Sequence, residues 1–334
     1  MTTTTNHGTL LTTEILGLQS AMLDDLENVR KGGGSRHGAL TGLTVDSRPW
    51  KPDKDGETRV YGLPFDDPHA MLFRDVVAGV ASLEDKAVTN LEKAMKAHPL
   101  GPWIKKQRGL GFKQAGRLLA ATGDPYWRRE LTYFLADGET VDRTVPEGPR
   151  TVSALWAYSG LHVLPGTGQA VDDAHDSLVS AGAEIAGGDP GQSNTATQDW
   201  SAGVAARRKK GVKANWSTEA KTRAYLCAES CVKQLLKTCY VDSDDGQRTV
   251  AHVDDCKCSP FRRKYDARKF HTSVSRPEWT DGHRHNDALR VASKEILKAL
   301  WIEARRLHAE ADPVLAKMLG ESVDIAAPGG QPAR

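Results

Sequence analysis

From Leu10 to Val29, apolar residues return at Leu11, Ile15, Leu18, Met22, Leu26 and Val29, the spacing of one helix face. Lys31-Gly32-Gly33-Gly34-Ser35 then interrupts the stripe and predicts a flexible joint. A second stripe, Val76, Val80, Leu83, Ala87, Leu91 and Met95, marks a helix over 72–95 that Pro99 and Pro102 break. Between the two, residues 38–68 mix Pro, Gly and Asp with scattered apolar positions. They read as irregular, with one short strand or hairpin near Arg59-Val60-Tyr61. Stripes this long serve as core or as a partner-helix seam, and the two helices together predict a coiled-coil arm for a homodimer.

The pattern changes at Trp103–Leu119, which reads WIKKQRGLGFKQAGRLL. A short basic amphipathic run ends at Gly109-Leu110-Gly111 and a second apolar-periodic run begins at once, the layout of a helix-hairpin-helix. Glycine supports the positive φ of a tight hairpin and lets a phosphate approach the backbone. The second helix would turn its free N–H groups and positive dipole end toward that phosphate. Lys105, Lys106, Arg108 and Lys113 frame the turn.

Downstream, Asp124-Pro125 stops the second helix and residues 136–150 read as a polar loop. Arg150–Leu161 reads as a short helix capped by Thr151 or Ser153 and closed by Gly160. Residues 165–203 are poor in large apolar residues and read as a long loop. Helices follow over Asn215–Lys237, with Ser217 as cap, and over Asn286–Ala309, with apolar positions Leu289, Ala292, Ile296, Leu300, Ile302 and Leu307. Residues 239–260 form a polar insert. The fold class is therefore mainly α: a helical domain containing a helix-hairpin-helix, with long N-terminal helices and a small cysteine-rich insert. The expected division is a disordered tail plus N-terminal helix over 1–36, an irregular segment and helical arm over 37–99, a helical DNA-binding domain over 100–310, and a disordered tail over 311–334.

Composition sharpens this picture in one place. The net charge of the 334 residues is only +2, but residues 200–310 hold 23 Lys and Arg against 14 Asp and Glu. A local surplus of that kind favours polyanions. No apolar run approaches 18 residues and the N-terminus lacks the regions of a signal peptide, so no membrane partner and a cytoplasmic location are expected, with thiols reduced. The densest positive run, Arg207-Arg208-Lys209-Lys210-Gly211-Val212-Lys213, suits phosphate contacts. Trp216 after it is either a core residue or a stacking platform for an unpaired base.

All five cysteines lie between 227 and 258. Cys227 and Cys231 sit one helical turn apart in an apolar setting that suits buried thiols. Cys239, His252, Cys256 and Cys258 follow the spacing C-x12-H-x3-C-x-C in polar surroundings. Four such donors predict a tetrahedral structural Zn2+ closing an insert that has no core of its own. Free surface thiols, or another pairing using Cys231, are the alternatives. His271, His283 and His285 read as surface histidines. No nucleotide cofactor is expected.

The order of these motifs resembles the C-terminal domain of the bridge-RNA-guided insertion-sequence recombinases, as it occurs in stand-alone proteins of actinobacteria and their phages. The carrying pieces are RGLGFKQAGRLLAATGD over Arg108–Asp124, AYSGL over Ala157–Leu161, KKG over Lys209–Gly211 and ALRVASKEILKALW over Ala288–Trp301. The resemblance implies a transposase-like, DNA-binding role in DNA recombination at a mobile element. It also implies a catalytic serine in the small-residue loop, where Ser201 is the nearest match and Ser177, Ser180 and Ser193 are alternatives. The family's N-terminal RuvC-like domain has no counterpart in residues 1–99, so its two-metal site is absent or comes from another chain. The expected activity is accordingly nucleic-acid binding, to DNA or to structured RNA, through Lys105, Lys106, Arg108, Gly109, Gly111, Lys113, Arg207, Arg208, Lys209, Lys210 and Lys213. The first alternative is a serine-dependent strand-transfer or cleavage enzyme using Ser201. The second is a helical interaction protein that never touches nucleic acid.

Overall fold

A computed structural model describes residues 10–50, 61–134, 141–164, 204–205, 216–234, 239–242, 248–250, 252 and 256–312. Eight helices dominate them: α1 (Glu14–Thr41), α2 (Pro68–Ala97), α3 (Gly101–Lys106), α4 (Phe112–Thr122), α5 (Val152–Tyr158), α6 (Thr218–Val232), α7 (Pro260–Ser275) and α8 (Asp281–Ala311). The fold is mainly α, as expected. Eight short strands form four antiparallel pairs: β1 (Trp127–Arg128) with β4 (Gly148–Pro149), β2 (Leu131–Phe134) with β3 (Val141–Val145), β5 (Val163–Leu164) with β6 (Val204–Ala205), and β7 (Tyr240–Asp242) with β8 (Arg248–Val250). The stretch expected as a polar loop over 136–150 therefore contains β3 and β4. Its alternation is too short to stand out in the sequence. Of the strand or hairpin expected near Arg59-Val60-Tyr61, Arg59 and Val60 lie outside the described residues, and the Tyr61 N–H bonds the Ala39 carbonyl.

The triglycine joint is also corrected. α1 runs unbroken through Lys31–Ser35, so the boundary placed at residue 36 falls inside a helix. Glycine costs helix stability, but here it allows close packing. A Cβ at Gly33 would lie 2.8 Å from a Val77 methyl, and one at Gly38 would lie 2.3 Å from the Trp50 ring. The helix ends at Gly42, whose φ of 74° is the left-handed cap. α2 starts under better local control: Asp67 accepts from the His69 and Ala70 amides and Pro68 fills the first position. Arg30 pairs with Glu84 at 2.5 Å while Gly33 meets Val77, so the two helices run antiparallel.

The arm meets the body at α4. Gly116 accepts Leu91 of α2, and the acids Asp24 and Glu27 of α1 face α4 and α6. Arg117, only 4% exposed, pairs with Asp24 and, at 2.9 Å, with Glu27; Arg223 of α6 also pairs with Asp24. Burial, and then the neighbouring Arg223, lower the Arg117 pKa to about 10, so the guanidinium stays charged at neutral pH. On the other side of α4, α6 and α8 close the core: Cys227 contacts the Gln114 carbonyl and Ser293 donates to the Ala224 carbonyl. His308 near the end of α8 returns to Asp124 at 2.6 Å, and Trp301 donates to the Arg150 carbonyl at 2.7 Å. One contiguous apolar cluster runs from Leu11 to Ala304. Of the expected core positions on α8, Ile302 is exposed.

The stripes on the arm divide. Ala87, Leu91 and Met95 are buried, whereas Val76 and Leu83 are exposed. On α1 the buried residues are Leu16, Ser20, Leu23, Gly33, His37 and Gly38, and of the apolar stripe Ile15, Leu18, Met22 and Val29 are exposed. No helix among the described residues is long and apolar enough to cross a membrane.

The glycines of α1 test this packing. Gly34 has open space around its Cα, so Gly34→Ala should stabilise the fold by about 0.5–1 kcal/mol. Gly38→Ala should destabilise it by about 1–3 kcal/mol, because the methyl overlaps Trp50. Denaturant melts of the two variants should move in opposite directions. Equal, small shifts would mean that the run is a joint after all.

Candidate metal centre and nucleic-acid interface

The turn between α3 and α4 requires glycine at one of its two glycine positions, since Gly111 has an ordinary extended backbone. Gly109 has φ 88°, and a Cβ there would lie 2.7 Å from the Cys231 Cα, so the turn is packed directly on α6. Leu110 is buried beneath it. Gly111, by contrast, is exposed and has open space on its outer side. It is the N-cap of α4, and no side chain caps that helix, so the positive dipole end faces outward.

The framing cations are not equivalent. Lys105 and Lys106 are exposed, and no carboxylate among the described residues pairs with them. Arg108 donates to the Lys257 carbonyl at 3.1 Å and so holds the cysteine-rich segment against the turn. Lys113 is tied to Glu27 at 3.1 Å and serves the junction with the arm. Trp216 is packed under the turn at Gly160, where a Cβ would lie 2.4 Å from its ring, with Lys221 over its face. That is a structural position. Ser177, Ser180, Ser193, Ser201 and the run Arg207–Lys213 lie outside the described residues.

The four expected metal ligands do converge. The β7–β8 ladder, with Tyr240 opposite Val250, returns the chain so that Cys239 and His252 meet at its open end. The Cys239 Sγ lies 3.0 Å from Cys256 and 3.3 Å from Cys258, and His252 Nδ1 lies 3.4 Å from the Cys256 sulfur. All four donor atoms fall within 4.8 Å of one another, a grouping that could hold a metal ion. A tetrahedral site with metal–sulfur bonds of about 2.3 Å has sulfur–sulfur edges of roughly 3.8 Å, so only small outward shifts are needed. The Cys258 amide donates to the Cys256 sulfur, a turn that aims both thiols inward. Hydrogen bonding from Cys239, opposed by burial and aided by that amide, draws the Cys256 thiol down to about 6, toward the thiolate a metal requires.

Behind the ligands stands a support that sequence reasoning missed. His252 Nε2 lies 2.8 Å from Asp266 of α7, so Nδ1 faces the sulfurs while the other ring nitrogen donates to a carboxylate. Asp266 is itself gripped by Arg262 at 2.5 and 2.7 Å. Such carboxylate–histidine pairs fix the ligand's tautomer and orientation. The missed signal was Ser-Pro at 259–260, a helix start, followed by Phe261 and Tyr265 on one face. Cys227 and Cys231 are buried in the core, and burial raises both thiols, Cys231 to about 11. They are inert packing groups, as expected. His285 is held by the Tyr265 hydroxyl at 2.6 Å rather than facing a ligand site.

No family model, curated protein or solved structure matches this chain.

Removing one first ligand should abolish tight binding of a divalent metal, whereas Asp266→Asn should keep all four ligands and weaken binding about 10–100-fold. Cobalt(II) titration, read by its thiolate charge-transfer band, separates the two variants. A wild-type chain that yields no such band would remove the metal centre.

Proposed function

We propose that this protein binds DNA through sugar-phosphate contacts at the hairpin, in the manner implied by its resemblance to the transposase domain. The observation that carries the reading is the open Gly111 edge at the start of α4, which no side chain caps among the described residues, flanked by two exposed lysines with no carboxylate partner among the described residues. Backbone amides at a helix start, reinforced by ammonium groups, recognise phosphate without reading sequence. Had the turn been sealed by acids, no such contact would be available. The acids of α1 instead neutralise Lys113, Arg117 and Arg223, away from Lys105 and Lys106.

The metal we assign is zinc. Three sulfur donors and one imidazole make a soft, closed set of the structural kind, with no donor left for catalysis. In this reading zinc organises the insert, and Arg108 docks it beside the DNA-binding turn.

The assembly we propose is a homodimer through the arm. Ile15, Leu18, Met22 and Val29 are spaced three, four and seven residues apart, a coiled-coil seam whose one intervening position is the polar Asp25, and are left exposed, Leu18 at 71%. The occupant that matches a short seam of this spacing is α1 of a second copy.

In electrophoretic shift titrations over duplex, junction and single strand, the wild type should bind at least one form with strong salt dependence. Lys105→Ala with Lys106→Ala should weaken that binding about tenfold and lower the log-affinity versus log-salt slope by about 2. Identical curves for wild type and variant would leave a helical interaction protein as the better description. Separately, Leu18→Glu with Met22→Glu should convert a dimer to a monomer in light scattering after gel filtration. A wild type that is already monomeric at micromolar concentration sinks the dimer.

A further inference from the structure

We propose that the outward face of α7 is a second DNA-contacting surface, one that enters the major groove of a duplex beside the hairpin. The inference rests on the DNA-binding reading above and extends it to residues that reading does not use. Within Pro260–Ser275, α7 carries Arg262, Arg263, Lys264, Arg268 and Lys269 against one carboxylate, Asp266. These cations divide by face. Arg262 is taken by Asp266 and by the Val232 carbonyl, and Arg268 is taken by Asp287 at 2.5 Å. Together with buried Phe261, Tyr265 and Thr272 they form the side of the helix that packs on the body.

Among the described residues the opposite side has no such partners. Arg263 and Lys264 are exposed, and no carboxylate among the described residues pairs with them. Ala267, Phe270, His271 and Val274 continue the same face at helical spacing, Phe270 at 73% and Val274 at 70% exposure. A helix that offers uncompensated positive charge and a phenylalanine to solvent fits a partner that is both polyanionic and, in places, apolar. Duplex DNA is such a partner: phosphates line the groove walls, and thymine methyl groups face into the major groove. The helix of 16 residues is about 24 Å long, enough to lie in that groove. The major groove of duplex RNA is too narrow to admit it, so the surface favours DNA over RNA.

Position agrees with chemistry. α7 begins two residues after Cys258, and Arg108 of the hairpin donates to the carbonyl of Lys257. The first turn of α7 therefore lies next to the hairpin. The Asp266 link to His252 fixes its rotation, so the exposed face is presented in one orientation.

The test uses the full chain loaded with zinc, titrated with a mixed-sequence DNA duplex and with the RNA duplex of the same sequence over a range of salt. Arg263→Ala with Lys264→Ala should weaken DNA binding about tenfold and lower the salt slope by about 2. Phe270→Ala should weaken it about three- to tenfold with the slope unchanged, since no charge is lost. These side chains are exposed, and circular dichroism with metal content confirms that each variant folds. If the double variant binds like wild type while Lys105→Ala with Lys106→Ala is impaired, the α7 assignment falls and the hairpin reading stands. Equal affinity for DNA and RNA duplexes, or an unaffected Phe270→Ala, overturns groove entry. A wild type that binds neither duplex overturns the hairpin reading, and the α7 proposal falls with it.

Discussion

The contact between Gly109 and α6 is the constraint from which the candidate surface is assembled. A positive φ and the absence of a Cβ let the hairpin turn rest against the Cys231 backbone. That contact sets the turn beside the C-terminal end of α6, the point from which the chain leaves for the cysteine insert. Arg108, next in sequence, then reaches the Lys257 carbonyl. Three elements that are distant in sequence thus share one side of the molecule because a single residue has no side chain. A larger residue at 109 would meet both a forbidden backbone angle and a close atom, so hairpin, insert and α7 would separate together.

Electrostatics on the opposite side of the hairpin explains why only some cations remain available. Asp24 and Glu27 project from one face of α1 and collect Lys113, Arg117 and Arg223 from two other helices. A buried guanidinium without its acids would cost several kcal/mol, so this network is an obligation of the fold rather than a binding feature. Its effect on function is subtractive. It takes up Lys113, Arg117 and Arg223, whereas Lys105 and Lys106 at the hairpin and Arg263 and Lys264 on α7 are exposed with no carboxylate partner among the described residues. Counting basic residues along the chain does not reveal that partition, because paired and unpaired arginines look alike in sequence.

What was legible in the chain follows the same physics. The Thr151 and Ser217 caps and the convergence of the C-x12-H-x3-C-x-C donors were readable because each depends on residues close in sequence with distinctive chemistry. The glycines of α1 misled because their role is set by Val77 and Trp50, residues that only the fold brings near. α7 escaped notice because its inner face contains Arg262, Arg268 and Thr272, and the ion pairs that make them acceptable there come from elsewhere. The stripe on α1 is helical as expected, but two adjacent faces are both apolar, and only packing decides that Leu16–Leu23 is buried while Ile15, Leu18 and Met22 stay exposed. With α7 unseen, the carboxylate that orients His252 was out of reach as well.

The insert and α7 are joined through the four converging donors. The described part of this segment offers two strands of three residues each and little apolar surface beyond its own cysteines, far below what a hydrophobic core needs. Its order must come from somewhere, and four converging donors are the available source. Because His252 is braced by a residue of α7, binding of a metal ion to these donors would be thermodynamically linked to the placement of α7. The same linkage runs through Arg108 to the hairpin turn. A protein that must hold a loop and a helix in fixed relation on a polyanion can do so without a large core if a metal ion supplies the rigidity, and the chain from Asp266 through His252 to Lys257 is a route by which it would.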